Sequence, residues 1–226
     1  IEAIQCGLPM ARAEDLDTAA IGAVNNSFGT DYALSDALFL EFHGSPDEVA
    51  AHTERARAIA EANGGGAFRW AIEPEERNRL WKARHNAGFA ALSLRPGARP
   101  WSTDVCVPIS QLPDCIEETK AEIAELPFPA VIVGHIGDGN FHVILLLDPT
   151  DAEENCAAQR FNDAVITRAI QLDGTCTGEH GIGMGKRESL RQDLGGAVDL
   201  MAGIKRALDP LGLMNPGKIF TSMHAS

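Results

Sequence analysis

Residues 131–147 form two apolar runs around one polar interruption. Val131-Ile132-Val133 and Val143-Ile144-Leu145-Leu146-Leu147 are β-branched and aliphatic, as buried strands are. Between them lies "GHIGDGNFH", whose Asp138-Gly139 pair is a strong hairpin signal because a type I′ turn needs φ > 0 at both central residues. Counting outward from that pair predicts that Gly137 faces Asn140, Ile136 faces Phe141, and His135 faces His142. Directly opposed residues share a face with Cβ atoms roughly 4.5–5.5 Å apart. The pattern therefore presents two imidazoles side by side.

The rest of the chain alternates between the two periods. Ala37 to Phe42 reads as a strand, and Ser45-Pro46-Asp47-Glu48 then starts a helix with an N-cap serine, a proline at the first helical position and a capping-box glutamate. Gly64-Gly65-Gly66 stops that helix, and residues 67–72 read as a second strand, making a β-α-β unit. Pro74 opens a helix carrying Leu80, Trp81, Arg84 and Phe89, which ends before "RPGARP". Ser102 to Pro108 reads as a short strand, 110–126 as a helix despite Pro113, and Asp151 to Leu172 as a long helix. "GTCTGEHGIGMGK" (Gly174 to Lys186) holds five glycines and is no regular helix. Ala197 to Leu208 is a last helix, closed by Asp209-Pro210. Strands that arrive singly and then as a hairpin, with helices between, predict an α+β fold. The expected form is a ferredoxin-like antiparallel or mixed sheet with helices on one face. A domain over 1–185 and a small helical C-terminal segment over 186–226 are expected.

Composition narrows the function. A formal charge of −13 argues against nucleic acid, whose binders concentrate Lys and Arg. No apolar run reaches the ~18 residues of a membrane span. The five cysteines lack CxxC spacing and are odd in number, which fits a reducing compartment. The chain opens on Ile1 without a signal-peptide pattern and is expected to be a piece of something longer.

The hairpin histidines can be core imidazoles bonded to backbone carbonyls. Glu179-His180, flanked by Gly178 and Gly181, adds a carboxylate and a third imidazole where the backbone can approach other groups closely. Two histidines and a carboxylate are a common ligand set for a divalent metal with open positions. Neighbours on extended chain point in opposite directions, so Glu179 and His180 are expected to do different work, one as ligand and one as acid/base. A P-loop is excluded because His180 stands where its first glycine belongs and Arg187 follows the Gly-Lys pair. "GIGMG" is not a dinucleotide fingerprint, and Asp138-Gly139-Asn140 lacks the remaining ligands of an EF-hand.

"VGHIGDGNFHVILLLDP", "GTCTGEHGIGMGKRESL" and "IKRALDPLGLMNPGKIF" together resemble the C-terminal domain of FAD-linked oxidases of the vanillyl-alcohol oxidase superfamily. "LWKARHNAGFAALSLRPGARPWSTDVCVPISQLP" narrows the resemblance to the cytochrome-linked D-lactate dehydrogenases. It runs from about residue 37 to Phe220. It implies a substrate-binding cap whose FAD is bound mainly by an N-terminal domain outside this chain. It further implies a divalent metal (Zn, Mn or Fe) on His135, His142 and Glu179, a catalytic His180, and Arg84 for the substrate carboxylate. Asn215 would lie near the flavin. The D-2-hydroxyglutarate branch carries polar residues where this chain has Ile144 and, nearby, Ser102, so a small monocarboxylic 2-hydroxy acid is implied. The expected acceptor is cytochrome c or a quinone. The expected location is cytoplasmic or peripheral at the inner membrane face, mitochondrial in a eukaryote. Two rivals remain: a non-catalytic module that binds a metal or hydroxy acid, and a metallohydrolase using the same ligands on bound water.

Overall fold

The two apolar runs form the centre of one antiparallel sheet. A computed structural model describes residues 1–66 and 68–220. In chain order it contains α1 (Glu2–Gln5), β1 (Met10–Leu16), α2 (Thr18–Phe28), β2 (Ala37–Phe42), α3 (Pro46–Ala62), α4 (Pro74–His85) and α5 (Ala87–Ala91). There follow β3 (Arg99–Ser102), β4 (Val105–Cys106), α6 (Leu112–Ile123), β5 (Ala130–His135), β6 (Asn140–Leu147), α7 (Ala152–Gln171), α8 (Arg187–Leu194) and α9 (Ala197–Leu208). The sheet order is β2-β1-β5-β6-β3, and β4 continues along β6 after β3.

The α+β class and the antiparallel sheet are as expected, but helices cover both faces rather than one. Ala130 and Ile132 point to one face with Phe141, Val143, Leu145 and Leu147, under Leu112 and Cys115 of α6 and Ala158, Phe161, Val165, Ile166 and Ala169 of α7. Val131, Val133 and Leu16 point to the other, under Ala20, Ile21, Ala23 and Val24 of α2 and Ala87, Ala90 and Ala91 of α5. Period-2 alternation sends successive residues of β5 to opposite faces, and both are apolar. That unbroken apolar run is the sign of a strand covered twice.

Three elements, α1, β1 and α2, precede the first strand read from the sequence. β1 is a central strand despite Arg12, Glu14 and Asp15, and α2 follows it on an Asp17 N-cap whose carboxylate accepts from the Ala20 N–H at 2.7 Å. The other Asp17 oxygen accepts from Ile132 N, tying the helix start to β5. The expected strand over 67–72 does not form: residues 68–72 have no regular structure, and Ala67 lies outside the described residues. The capping box at Ser45 and Glu48 forms as read.

The hairpin register also departs from the two-residue turn. Asn140 faces His135, Phe141 faces Gly134, and His142 faces Val133, so Ile136–Gly139 is a four-residue connection. Of its residues only Gly139 has positive φ, at 78°, whereas type I′ needs two. The cause is tertiary. Gly137 N–H donates to Ala13 O of β1, and Val107 N–H donates to Gly139 O, so the turn is held by two other segments. A Cβ on Gly139 would lie 2.1 Å from Val107 O. The shift is by two residues, which preserves the side-chain face. His135 and His142 still share one face, as diagonal neighbours, with ring centroids 5.7 Å apart.

Candidate active site

The shared face is the one that α2 and α5 cover, and the histidines emerge where that cover ends. His142 is buried on β6, and His135 at the end of β5 is partly open. Each ring is oriented by its Nδ1. His142 Nδ1 lies 3.1 Å from Thr103 O; a carbonyl only accepts, so Nδ1 carries the proton and Nε2 the lone pair. His135 Nδ1 lies 2.8 Å from the Glu14 carboxylate, which fixes the same tautomer. Both Nε2 atoms then converge on Glu179 Oε1, at 3.2 Å from His135 and 3.0 Å from His142. The three ligating atoms lie within 4.8 Å of one another. Burial pushes His142 below the usual imidazole range, which keeps a neutral nitrogen available.

This donor set fits a divalent metal. Imidazole nitrogens backed by a carboxylate or a carbonyl, together with one carboxylate oxygen, are what such sites present. Metal identity is not selected by it, since Zn, Mn and Fe all accept nitrogen and oxygen.

His180 is adjacent in sequence yet placed differently. Its ring stacks on His142, with centroids 4.6 Å apart and planes 9° from parallel, while the Glu179 carboxylate reaches in front of both hairpin histidines. The two neighbours thus point to different places.

Arg84, on α4, approaches from the helical side. Its Nη2 donates to Glu14 Oε2 at 2.7 Å and to Gly134 O at 3.2 Å. Its Nε is buried without a partner, so the fork keeps a donor unspent. Arg84, Glu14 and His135 line a cavity of about 280 Å³ with Arg12, Trp81 and His85. The Arg12 guanidinium lies over the Trp81 ring, 5.1 Å from its centroid. Asn215 stands apart, in the loop after α9 with φ 48°, and among the described residues no hydrogen bond links it to the histidines. The tail beyond it does return to the glycine-rich segment, where Ile219 N–H donates to Gly183 O at 2.7 Å.

Two site residues were not legible as such in the sequence. Glu14 links Arg84 to His135, and Asp104 lies beneath the glycine-rich segment. Asp104 is fully buried and accepts from Gly178 N at 2.9 Å, Glu179 N at 3.2 Å and His180 N at 3.1 Å. Burial opposes its charge, but the Thr177 hydroxyl, the Glu179 and His180 N–H groups and the Lys186 ammonium hold its carboxyl well below the usual carboxylate range. An acidic residue within the short strand read over Ser102 to Pro108 was the only available signal.

The fold resembles those of solved structures. A 4-ethylphenol oxidase from Gulosibacter chungangensis superposes with a TM-score of 0.67 at 16% identity, over 92% of this chain and 47% of that one. The chain belongs to the family described as FAD linked oxidases, C-terminal domain, whose model matches residues 1–219. It is 49% identical over 97% of its length to a Danio rerio protein named "Probable D-lactate dehydrogenase, mitochondrial", of which it spans 44%. It is 38% identical to the Arabidopsis thaliana "D-lactate dehydrogenase [cytochrome], mitochondrial", over 97% of this chain and 39% of that protein. The chain therefore spans less than half the length of these curated relatives.

Proposed function

We propose that this chain is the substrate-binding part of a flavin-dependent D-2-hydroxy-acid dehydrogenase that oxidises D-lactate to pyruvate. The observation that carries the reading is the convergence of His135 Nε2 and His142 Nε2 on Glu179 Oε1, beside a cavity lined by Arg84. The names of the relatives supply the substrate class. The chain's share of their length supports an FAD bound mainly outside it.

When bound, a divalent metal would supply Lewis acidity to the substrate hydroxyl and FAD would supply the hydride acceptor. His135, His142 and Glu179 would hold the metal. Glu14 and Thr103 O fix the ring tautomers so that both Nε2 lone pairs face Glu179 Oε1. Arg84, which lines the cavity beside His135, binds the carboxylate through its guanidinium. His180 accepts the hydroxyl proton at its imidazole. Cytochrome c or a quinone would reoxidise the flavin. A mitochondrial or membrane-peripheral location completes the proposal; among the described residues no helix is long and apolar enough to cross a membrane.

Elemental analysis of full-length protein, wild type against His142→Ala, tests the site. The variant should lose its metal. Equal content in both would remove His142 from the ligand set.

A further inference from the structure

Asp104 belongs to a second group of possible ligands, with His142 and His180, whose ligating atoms also lie within 4.8 Å. Its oxygens are already committed. Oδ2 accepts from Thr177 Oγ1, Gly178 N and His180 N and lies 3.4 Å from Lys186 Nζ. Oδ1 accepts from Glu179 N and lies 3.4 Å from Asn140 Nδ2. A carboxylate ringed by main-chain N–H groups is an anchor for that backbone and has no lone pair directed at an ion.

The sheet explains the placement. Counting from Ser102↔Ile144 to Val105↔Phe141 sets Asp104 opposite His142, on the same face. The glycine-rich segment docks alongside, where Thr175 bridges to Cys106. Gly178 then passes so close that a Cβ would lie 2.0 Å from Asn140 Nδ2 and 2.9 Å from Asp104 Oδ1. Lys186 closes the far end, donating to Asp104 O at 2.6 Å and Cys176 O at 2.9 Å. One buried carboxylate thus grips three consecutive backbone amides, two of which carry Glu179 and His180.

We propose that Asp104 is a positioning residue that fixes Glu179 and His180 against the hairpin histidines through their backbone N–H groups, assisted by Lys186. The proposal rests on the metal and proton roles given above to Glu179 and His180. Asp104→Asn keeps the shape but turns a donor toward groups that also donate, so the segment loses its anchor.

The test uses full-length protein and three readouts: amide-resolved hydrogen exchange, Zn²⁺ affinity after metal stripping, and flavin reduction by D-lactate. In Asp104→Asn, exchange at Gly178, Glu179 and His180 should quicken at least ~10-fold while β5 and β6 amides keep wild-type rates. Zn²⁺ affinity should fall about 10–100-fold, as for other groups that orient metal ligands. Unchanged exchange overturns the proposal. So does Zn²⁺ affinity equal to wild type when Glu179→Gln weakens it. If wild type and Glu179→Gln bind Zn²⁺ equally, the metal role of Glu179 fails by itself. Flavin reduction then decides for His180: slowing of ~10-fold or more in Asp104→Asn supports positioning, and the wild-type rate overturns it. Should Asp104→Asn not fold, Lys186→Met must quicken the same three amides and weaken Zn²⁺ binding, and no change in either overturns the proposal.

Discussion

Gly178 has no room for a side chain: a Cβ would meet Asn140 and Asp104, both buried. Gly178→Ala should therefore displace the segment bearing Glu179 and His180. We expect flavin reduction to fall at least ~10-fold with about 1–3 kcal/mol of lost stability. Gly181 is the control. Its φ is 78° with nothing within 4 Å, so Gly181→Ala should cost only the ~1–2 kcal/mol of left-handed backbone. Matched kinetics and denaturation on both variants check this; equal losses of turnover would remove the steric argument. Arg84→Lys keeps the charge but loses the planar fork, and should raise KM for D-lactate more than it lowers kcat. An unchanged KM would take Arg84 out of the site. At this scale the sequence showed the histidines and Glu179 because their residue types stand out from apolar and glycine-rich surroundings. Arg84, one of several cations in its helix, was singled out by the family resemblance alone. Glu14 and Asp104 were hidden. Each acts through a partner far along the chain, Arg84 or the amides of 178–180, and their local sequence records neither contact.

Among the elements, β1 shows most plainly how tertiary contacts override pattern. "MARAEDL" reads as polar, yet it is central because its charges find partners: Arg12 pairs with Glu41, and Glu14 with Arg84 and His135. Residues 68–72 show the converse, strand-like in pattern but without a neighbour in the sheet. The Asp-Gly turn gave the right hairpin in the wrong register, since Ala13 and Val107 hold Gly137 and Gly139. The even shift is what kept the two-histidine inference sound. β1 also carries a pH signature. Asp15 is buried, and burial first, then the nearby charges of Asp36 and Asp17, raise its carboxyl to about 7 against Lys120 and Arg84, which lower it. A raised carboxyl binds its proton in the folded state after the unfolded chain has released it. Its contribution is therefore favourable at low pH and is lost as pH rises from about 4 toward about 7. Asp15→Asn should leave stability at pH 4 nearly unchanged and raise it at pH 8, by a few kcal/mol at most. Denaturant melts at the two pH values measure the difference; equal effects at both would contradict the burial argument.

For the whole molecule, the α+β class and the order of the later elements were legible because helix and strand periods are local. The unbroken apolar run of β5 carried the sign of a second helical layer, but not which elements form it, because α2 and α5 arrive from elsewhere in the chain. Expressed alone, the chain should be colourless, since we place FAD mainly outside it; near-stoichiometric flavin absorbance would contradict that division of labour. The central claim is that Glu179 serves the metal while its neighbour His180 takes the proton. It is tested most directly by rapid-mixing reduction of the flavin by D-lactate in full-length His180→Asn shown to retain its metal. A positioned general base is worth about 10²–10⁴ in rate, so the account predicts reduction slowed at least ~10²-fold with the metal still bound. Reduction at the wild-type rate would contradict it.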